Sequence, residues 1–470
     1  MSASRRARTA ALLILPVLAA ALGGAGGVFQ FDDFNVIVDN PVVHSFAAWW
    51  ADAGHGIRPL LKLSYSANWA VTGPGEAGFH AINIGVHLVN TLLVFTLAKL
   101  LAFRVWALDE RAAEIAALIA ALLFGLHPAN TEAVAYISGR SSSLMALFGL
   151  GSVLAYVAGR LRERWVLAQL VSPLLFALAL LTKESVISLP LLLVAWEASR
   201  GRPRRWKEAA RSLRVHALVL LLATITLLLH PIYGERLAAD FGAQSLGSSA
   251  LTQIKAVAYI GARLFWPWPA NIDPDLRLAV AWSPMLATEA VLLFAALALG
   301  ARAWWRRPWW AFGVLWFGVA LLPTNSVVPR LDLANDRQLY FAGIGVCIAI
   351  GIEIALLCRR LPRLQHGLTA ATVGVLALLG GLTFVRGLDY ASEVRLWQQT
   401  ARASPLKARA FNNLGFAYSA AGCALEAETA YREALRLNPG YALARTNLER
   451  LVAQAAPAPA TTASSLACPP

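Results

Sequence analysis

The stretch Gln30-Phe31-Asp32-Asp33-Phe34-Asn35 follows an apolar run at 9–28, so two adjacent carboxylates stand at the exit of a segment of membrane-crossing length. Working outward, further apolar stretches fall near 81–103, 112–127, 142–159, 166–182, 185–199, 215–231, 285–301, 308–323, 339–358 and 367–385. Spans need about 17 to 25 residues, so the shorter ones require tilt or help from adjoining loops. Arg5/Arg6/Arg8, Arg104/Arg111, Arg160/Arg162/Arg164, Arg200 to Arg214, Arg302/Arg306/Arg307 and Arg359/Arg360/Arg363 form basic blocks between these stretches. With the basic amino terminus inside, alternate crossings put every block in the cytoplasm, as the retention of Lys and Arg loops requires. Parity and charge therefore agree on about eleven crossings with the carboxyl terminus outside. Asp32 and Asp33 fall on the outer face.

The composition fits that reading. The 470 residues are 58% apolar and only 14% charged, with a mean hydropathy of +0.56; a soluble globular protein carries roughly 25% charged residues. The net charge of +14 resides mostly in the topology blocks, which argues against nucleic acid as a partner. The four cysteines have no metal-ligand spacing, and a Cys423–Cys468 pair outside the cytoplasm is one compatible arrangement. The first apolar run is expected to be a retained anchor rather than a cleaved signal peptide. The piece 249–268 carries Lys255 and Arg263 and ends in Trp266-Pro267-Trp268-Pro269, so it is expected to lie at the interface and not to cross.

The expected organisation is all-α: a polytopic membrane bundle over 1–385, with an outer loop at 31–79, followed by short helical repeats over 386–453 and a disordered tail over 454–470. Phe411, Leu414, Gly415, Tyr418, Ala427, Tyr431, Ala434 and Pro439 match the signature positions of a tetratricopeptide unit of about 34 residues. Trp397 and Pro405 belong to a preceding partial unit, and a third begins at Ala442. Such a short array is expected to dock on the membrane domain or to bind a protein partner.

Polar clusters recur on the outer face. Asp32 and Asp33 are the candidate catalytic acids, since a carboxylate base suits attack by a hydroxyl, and Asp33 is preferred as the base. Arg58 follows in the first outer loop. His80, Asn83 and His87 share one helix face but lack a third ligand for zinc, so substrate contact or hydrogen bonding inside the bundle is expected. His127, Glu132 and Arg140 join two crossings, and Arg140 suits a bidentate grip on a lipid phosphate. Lys183-Glu184 is an outer basic site against the positive-inside bias. Arg337, within Arg330 to Tyr340, is another anion contact. Donor phosphate is therefore assigned to Arg140, Lys183 and Arg337, and substrate contact to Arg58, His80, Asn83, His87, His127, Glu132 and Glu184.

These residues resemble the transmembrane and tetratricopeptide-repeat glycosyltransferases of the GT-C class, related to protein O-mannosyltransferases. The resemblance rests on Asp32-Asp33 with Asn40, Arg58-Pro59-Leu60, the His80/Asn83/His87 helix, His127-Pro128 to Gly139-Arg140, Lys183-Glu184, Arg337 to Tyr340 and the repeat. It implies a polyprenyl-phosphate sugar donor in the membrane lipid, a protein or glycan acceptor, inversion at the sugar carbon, and one Asp of the pair as base. It implies no cofactor, and a divalent cation remains compatible. Family members more often carry Glu-Arg-Tyr-Leu-Tyr where this chain has Asp336-Arg337-Gln338-Leu339-Tyr340, and their repeat arrays are usually longer. The short array and the richness in Ala, Arg and Leu fit a bacterial inner-membrane protein with a periplasmic repeat. A lipid-linked glycan polymerase or ligase, and a non-catalytic membrane scaffold, stay open beside this reading.

Overall fold

The computed structural model describes residues 3–199, 206–243, 245–326, 328–330 and 332–455. Among them the chain is helical throughout, with no strand. In chain order the helices are α1 (Ala3–Ala21), α2 (Phe46–Asp52), α3 (Pro59–Thr72), α4 (Glu76–Leu100), α5 (Glu110–Gly125), α6 (Arg140–Leu161) and α7 (Ser172–Thr182). Then come α8 (Leu189–Ser199), α9 (Trp206–Leu229), α10 (Pro231–Ala243), α11 (Leu246–Phe265), α12 (Pro284–Ala303) and α13 (Pro308–Leu321). The last are α14 (Leu339–Ala342), α15 (Ile344–Arg360), α16 (Gln365–Leu388), α17 (Glu393–Ala403), α18 (Ala408–Ala420), α19 (Ala424–Leu437) and α20 (Ala442–Ala455).

Among the described residues six helices are long and apolar enough to cross a membrane: Ser4–Gly24, Glu76–Val105, Ile137–Leu161, Lys207–Leu229, Pro284–Ala303 and Pro362–Ala391. Asp336–Ala342 with Ile344–Arg360, bent by 58°, makes a seventh if the pair is one span. The other apolar stretches form shorter helices, α5, α7, α8 and α13. At about 1.5 Å rise per residue these fall short of a hydrocarbon core of about 30 Å. The piece read as interfacial is α11, whose buried face carries Ser249, Thr252, Gln253, Ala256, Ile260 and Arg263. The tail beyond Ala455, Cys468 and the basic residues 200–205 lie outside the described residues.

Small residues set the packing of the bundle. One face of α5 buries Ala112, Ala113, Ala116, Ala117, Ala120 and Ala121, and α15 lies so close that a Cβ on Gly351 would strike the Ala116 carbonyl. Without a hydrophobic drive between helices in lipid, such close backbone approach supplies the dispersion that holds them together. Side chains of α4, α5, α6, α13 and α15 form one continuous core. Past Ser392, which caps α17 by accepting from Arg395 N–H at 3.3 Å, composition turns amphipathic. There α17 to α20 bury Val394, Trp397, Ala401, Ala410, Leu414 and Tyr431 against one another.

The fold places these C-terminal helices against the end of the bundle where α1 gives way to the segment 28–33. The Val28 amide donates to the Tyr390 carbonyl at 3.1 Å and the Gln30 side chain to the same oxygen at 2.5 Å. Arg409 bridges Asp273, at 2.6 Å, and Asp332, at 3.0 Å.

Candidate functional site

The segment Leu126 to Arg140 is buried along its whole length and forms the floor of the site. Two short 3-10 turns, Pro128–Ala133 and Ile137–Gly139, build it, and the His127 side chain caps the first. His127 accepts from the Ala129 amide at 3.3 Å through Nδ1, and its Nε2 donates to the Leu264 carbonyl at 3.1 Å. Asn130 donates to the Phe124 carbonyl at 2.7 Å. Gly139 is required by close approach, since a Cβ there would meet the Glu132 carbonyl. His127 is thus a structural cap, its two ring nitrogens both occupied.

The helix face His80/Asn83/His87 holds this floor in place. The Nε2 of His80 donates to the Gly27 carbonyl at 3.0 Å, and Asn83 donates to the carbonyls of Val134 and Ile137, each at 3.2 Å. The Nε2 of His87 donates to the Gly125 carbonyl at 3.0 Å, and its Nδ1 accepts from the Tyr340 hydroxyl at 2.8 Å. Polar groups at membrane depth are satisfied here by neighbouring backbone. The geometry makes these three residues bundle braces, the second of the two roles the sequence left open.

Arg140 is fully buried. Its guanidinium donates to Asn83 Oδ1 at 2.6 Å, Asn68 Oδ1 at 2.6 Å, the Phe79 carbonyl at 3.1 Å and the Ser64 carbonyl at 3.3 Å. It lies over the rings of Tyr65 and Phe79 at 4.8 and 5.4 Å. Protein acceptors therefore occupy the fork that sequence reasoning assigned to a lipid phosphate. The physical reason is burial: a guanidinium this far from water must be satisfied internally.

The paired carboxylates part company. Asp33 is 0% exposed and accepts from the Gln30 amide at 3.0 Å, the Ser138 amide at 2.7 Å and the Ser138 hydroxyl. Burial pushes its pKa up to about 7 in spite of these bonds, with Asp32 adding to the rise. Asp32 instead lines a cavity of about 140 Å³ together with Phe31, Glu132, Tyr136, Arg337 and Trp397. Its amide donates to the Tyr136 hydroxyl at 3.0 Å. The acid that faces the cavity is Asp32, where the sequence favoured Asp33.

Across the cavity Glu132 is held by Arg337, whose amide donates to Oε2 at 3.0 Å and whose Nε stands 3.4 Å from Oε1. Burial nonetheless raises the Glu132 pKa to about 7. Arg140, on the same segment, is engaged elsewhere. The Arg337 guanidinium also lies 5.8 Å from the Tyr136 ring.

Arg58 grips Glu184 in a fork, with Nε to Oε2 at 2.9 Å and a second bond at 2.5 Å. Burial would raise the Glu184 pKa, but the Arg58 charge and its hydrogen bonds hold it at about 2. Lys183 donates to the Ser142 hydroxyl at 2.8 Å. Its pKa is driven well down by burial and then by the charges of Arg337, Arg58 and Arg330. Lys183 thus feels the charges of Arg337, Arg58 and Arg330, and Arg58 feels that of Arg337. Such an arrangement favours an anion, because each added negative charge relieves repulsion among cations already desolvated.

Phe31, Tyr136, Ser138, Glu393, Trp397 and Arg409 shape this site and were missed as site residues. The Trp397 signal was present as a repeat position, but nothing local to the sequence tells that its helix meets the segment that follows α1.

No family model and no solved structure matches the chain. Curated relatives do. It is 25% identical over 460 residues to a protein named Protein O-mannosyl-transferase F38B6.6 of Caenorhabditis elegans, covering 92% of this chain and 62% of that protein. It is 26% identical to Protein O-mannosyl-transferase Tmtc1 of Drosophila melanogaster, over 84% of this chain and 56% of the relative. It is also 26% identical to Protein O-mannosyl-transferase TMTC4 of Homo sapiens, over 83% of this chain and 61% of the relative. The chain spans between about half and three-fifths of the length of these relatives. The likeness, carried over most of this chain's residues, is to the TMTC-like protein O-mannosyl-transferases.

Proposed function

We propose that this chain is a membrane glycosyltransferase of GT-C type that moves a monosaccharide, mannose or a similar hexose, from a polyprenyl-phosphate donor to a hydroxyl of a protein acceptor. The observation that carries the reading is one cavity lined by Asp32 and Arg337, with Lys183 and Arg58 near enough for their charges to act on Arg337. The reaction needs a base for the acceptor hydroxyl and cations for a departing phosphate, and this arrangement supplies both.

In this reading Asp32 takes the proton from the acceptor hydroxyl as its oxygen attacks the anomeric carbon. The bond from that carbon to the phosphate oxygen breaks on the opposite side, with inversion. The charge that grows on polyprenyl phosphate is met by Arg337 and Lys183. An apolar groove of about 810 Å³, lined in part by Leu12, Pro16, Leu122, Leu126, Leu376 and Phe384, suits the polyprenyl chain. The full proposal places the protein in the inner membrane with eleven crossings, a cytoplasmic amino terminus, and α17 to α20 as tetratricopeptide repeats on the periplasmic side.

The test is transfer from a polyprenyl-phosphate hexose to protein by the full chain in lipid nanodiscs. Asp32→Asn should abolish transfer while the protein stays folded, and undiminished transfer would overturn the assignment. Mass spectrometry of periplasmic proteins from a deletion strain separates the alternatives: lost single hexoses support this reading, shortened polysaccharide supports a glycan polymerase, and no change in either supports a scaffold.

A further inference from the structure

We infer that the C-terminal helices position the candidate base: Glu393 and Trp397 act through Phe31 to hold Asp32 in the cavity. The inference rests on the reading of Asp32 as base. It begins with backbone geometry. Phe31 has φ of 48°, in the left-handed region that bulky residues rarely enter. It sits second in a turn closed by the Asp33 amide donating to the Gln30 carbonyl at 2.9 Å, a place where positive φ ordinarily calls for Gly, Asn or Asp.

Such a conformation persists only where the surroundings over-determine it. Here most of those surroundings come from residues 390–397. The Phe31 amide donates to the Glu393 carboxylate at 3.3 Å. Its ring meets Trp397 edge-on, with centroids 5.6 Å apart and planes at 71°. One residue earlier, the Gln30 side chain donates to the Tyr390 carbonyl. Trp397 is itself buried and lines the same cavity as Asp32.

The turn has a consequence for the chemistry. Asp33 enters the interior to meet Ser138 while Asp32 stays at the cavity, although the two are neighbours in the chain. Relaxing Phe31 to an ordinary negative φ would redirect the residue that follows. Glu393 and Trp397 are therefore positioning residues, which act on the base through Phe31. The C-terminal helices become part of the reaction site in addition to any partner they bind.

The experiment uses the full chain in nanodiscs. Glu393→Ala should lower kcat by about tenfold or more with the donor KM unchanged, since a small misplacement of a catalytic group costs rate before binding. Glu393→Gln, whose amide oxygen can accept the same bond, should stay within about twofold of wild type. Trp397→Ala should follow Glu393→Ala. A second readout needs no transfer: in an Asp32→Cys variant, the rate of labelling by a membrane-impermeant maleimide should change several-fold when Glu393→Ala is added. Wild-type kcat in both Glu393→Ala and Trp397→Ala, or a Gln variant as impaired as the Ala variant, overturns the inference. If the wild-type chain transfers no sugar, the reading of Asp32 as base fails, while an unchanged labelling rate would independently sink the positioning role.

Discussion

The Asp33 carboxylate accepts two hydrogen bonds from Ser138, one from its amide at 2.7 Å and one from its hydroxyl, across 105 residues of chain. This pair ties the segment that follows α1 to the floor of the site. Asp33→Ala leaves those buried donors, and the Gln30 amide, without an acceptor. At about 1–3 kcal/mol for each buried group left unsatisfied, the variant should unfold well below wild type in detergent. Asp32→Asn, at the cavity wall, should shift stability by no more than about 0.5 kcal/mol. Thermal unfolding of the two variants side by side checks the contrast, and equal destabilisation would contradict it.

The same residue gives stability a pH dependence of defined sign. Asp33 titrates near 3.8 in an unfolded chain and near 7 when folded, because burial disfavours its charge. Between those values the folded protein holds a proton that the unfolded chain has released, so stability falls as pH rises from about 4 to 7. Glu132, also raised to about 7, adds a slope of the same sign. Unfolding measured at pH 4.5 and 7.5 should show this loss, and Asp33→Asn should reduce the slope without removing it.

Arg140 yields a prediction opposite to that of a donor contact. Four protein oxygens and two aromatic rings surround its guanidinium, and a lysine ammonium cannot reproduce that fork. Arg140→Lys should therefore destabilise the protein by about 3 kcal/mol, within the range for breaking a buried charged network. A phosphate ligand would instead show as a raised donor KM with unfolding unchanged. Denaturation in detergent, alongside donor titration, distinguishes the two.

In the proposed reading Lys183 and Arg337 are the cations that meet the donor phosphate. Lys183→Ala should raise the donor KM by about tenfold, equivalent to about 1.4 kcal/mol, with little loss of stability, because its one hydrogen bond goes to the Ser142 hydroxyl. Arg337→Ala should raise the donor KM and also lower stability, since Glu132 loses the charge it faces. Donor titrations combined with thermal unfolding would show the divergence, and an unchanged KM in both would remove these residues from the donor site.

These outcomes depend on features that were unequally legible in the sequence. Helical class and the membrane stretches follow from apolar runs, because length and hydropathy are local properties. The outer clusters were legible as clusters, since charged and polar groups interrupt those runs. Which members face the cavity was not. Arg140 and Arg337 look alike in sequence, yet Asn68 and Asn83 surround one and Glu132 faces the other. Asp32 and Asp33 differ only through the turn at Phe31, and that turn is held by Glu393, 362 residues away. The eleven-span count outruns the six long helices among the described residues because α5, α7, α8 and α13 are apolar but short and the stretch 339–358 is broken by the bend between α14 and α15.

Arg409 tests how firmly the C-terminal helices close the cavity. Its guanidinium reaches Asp273 at 2.6 and 2.7 Å and Asp332 at 3.0 Å, joining α18 to two loops of the membrane domain. The two acids differ in surroundings: the Asp273 side chain is 5% exposed and that of Asp332 46%. Water screens the second pair, so it contributes little, while the Asp273 pair is desolvated and loses an entire fork when Arg409 is removed. Lys407 stands 3.2 Å from Asp273 and retains part of the compensation. Arg409→Ala should therefore cost about 1–3 kcal/mol of docking rather than release the helices outright. The linker between α16 and α17, around 389–392, should be cut faster by protease in this variant. Asp332→Asn should leave the cleavage rate nearly unchanged, and Asp273→Asn should speed it as Arg409→Ala does. If Asp332→Asn is the more damaging, the exposed pair and not the buried one holds the C-terminal helices in place.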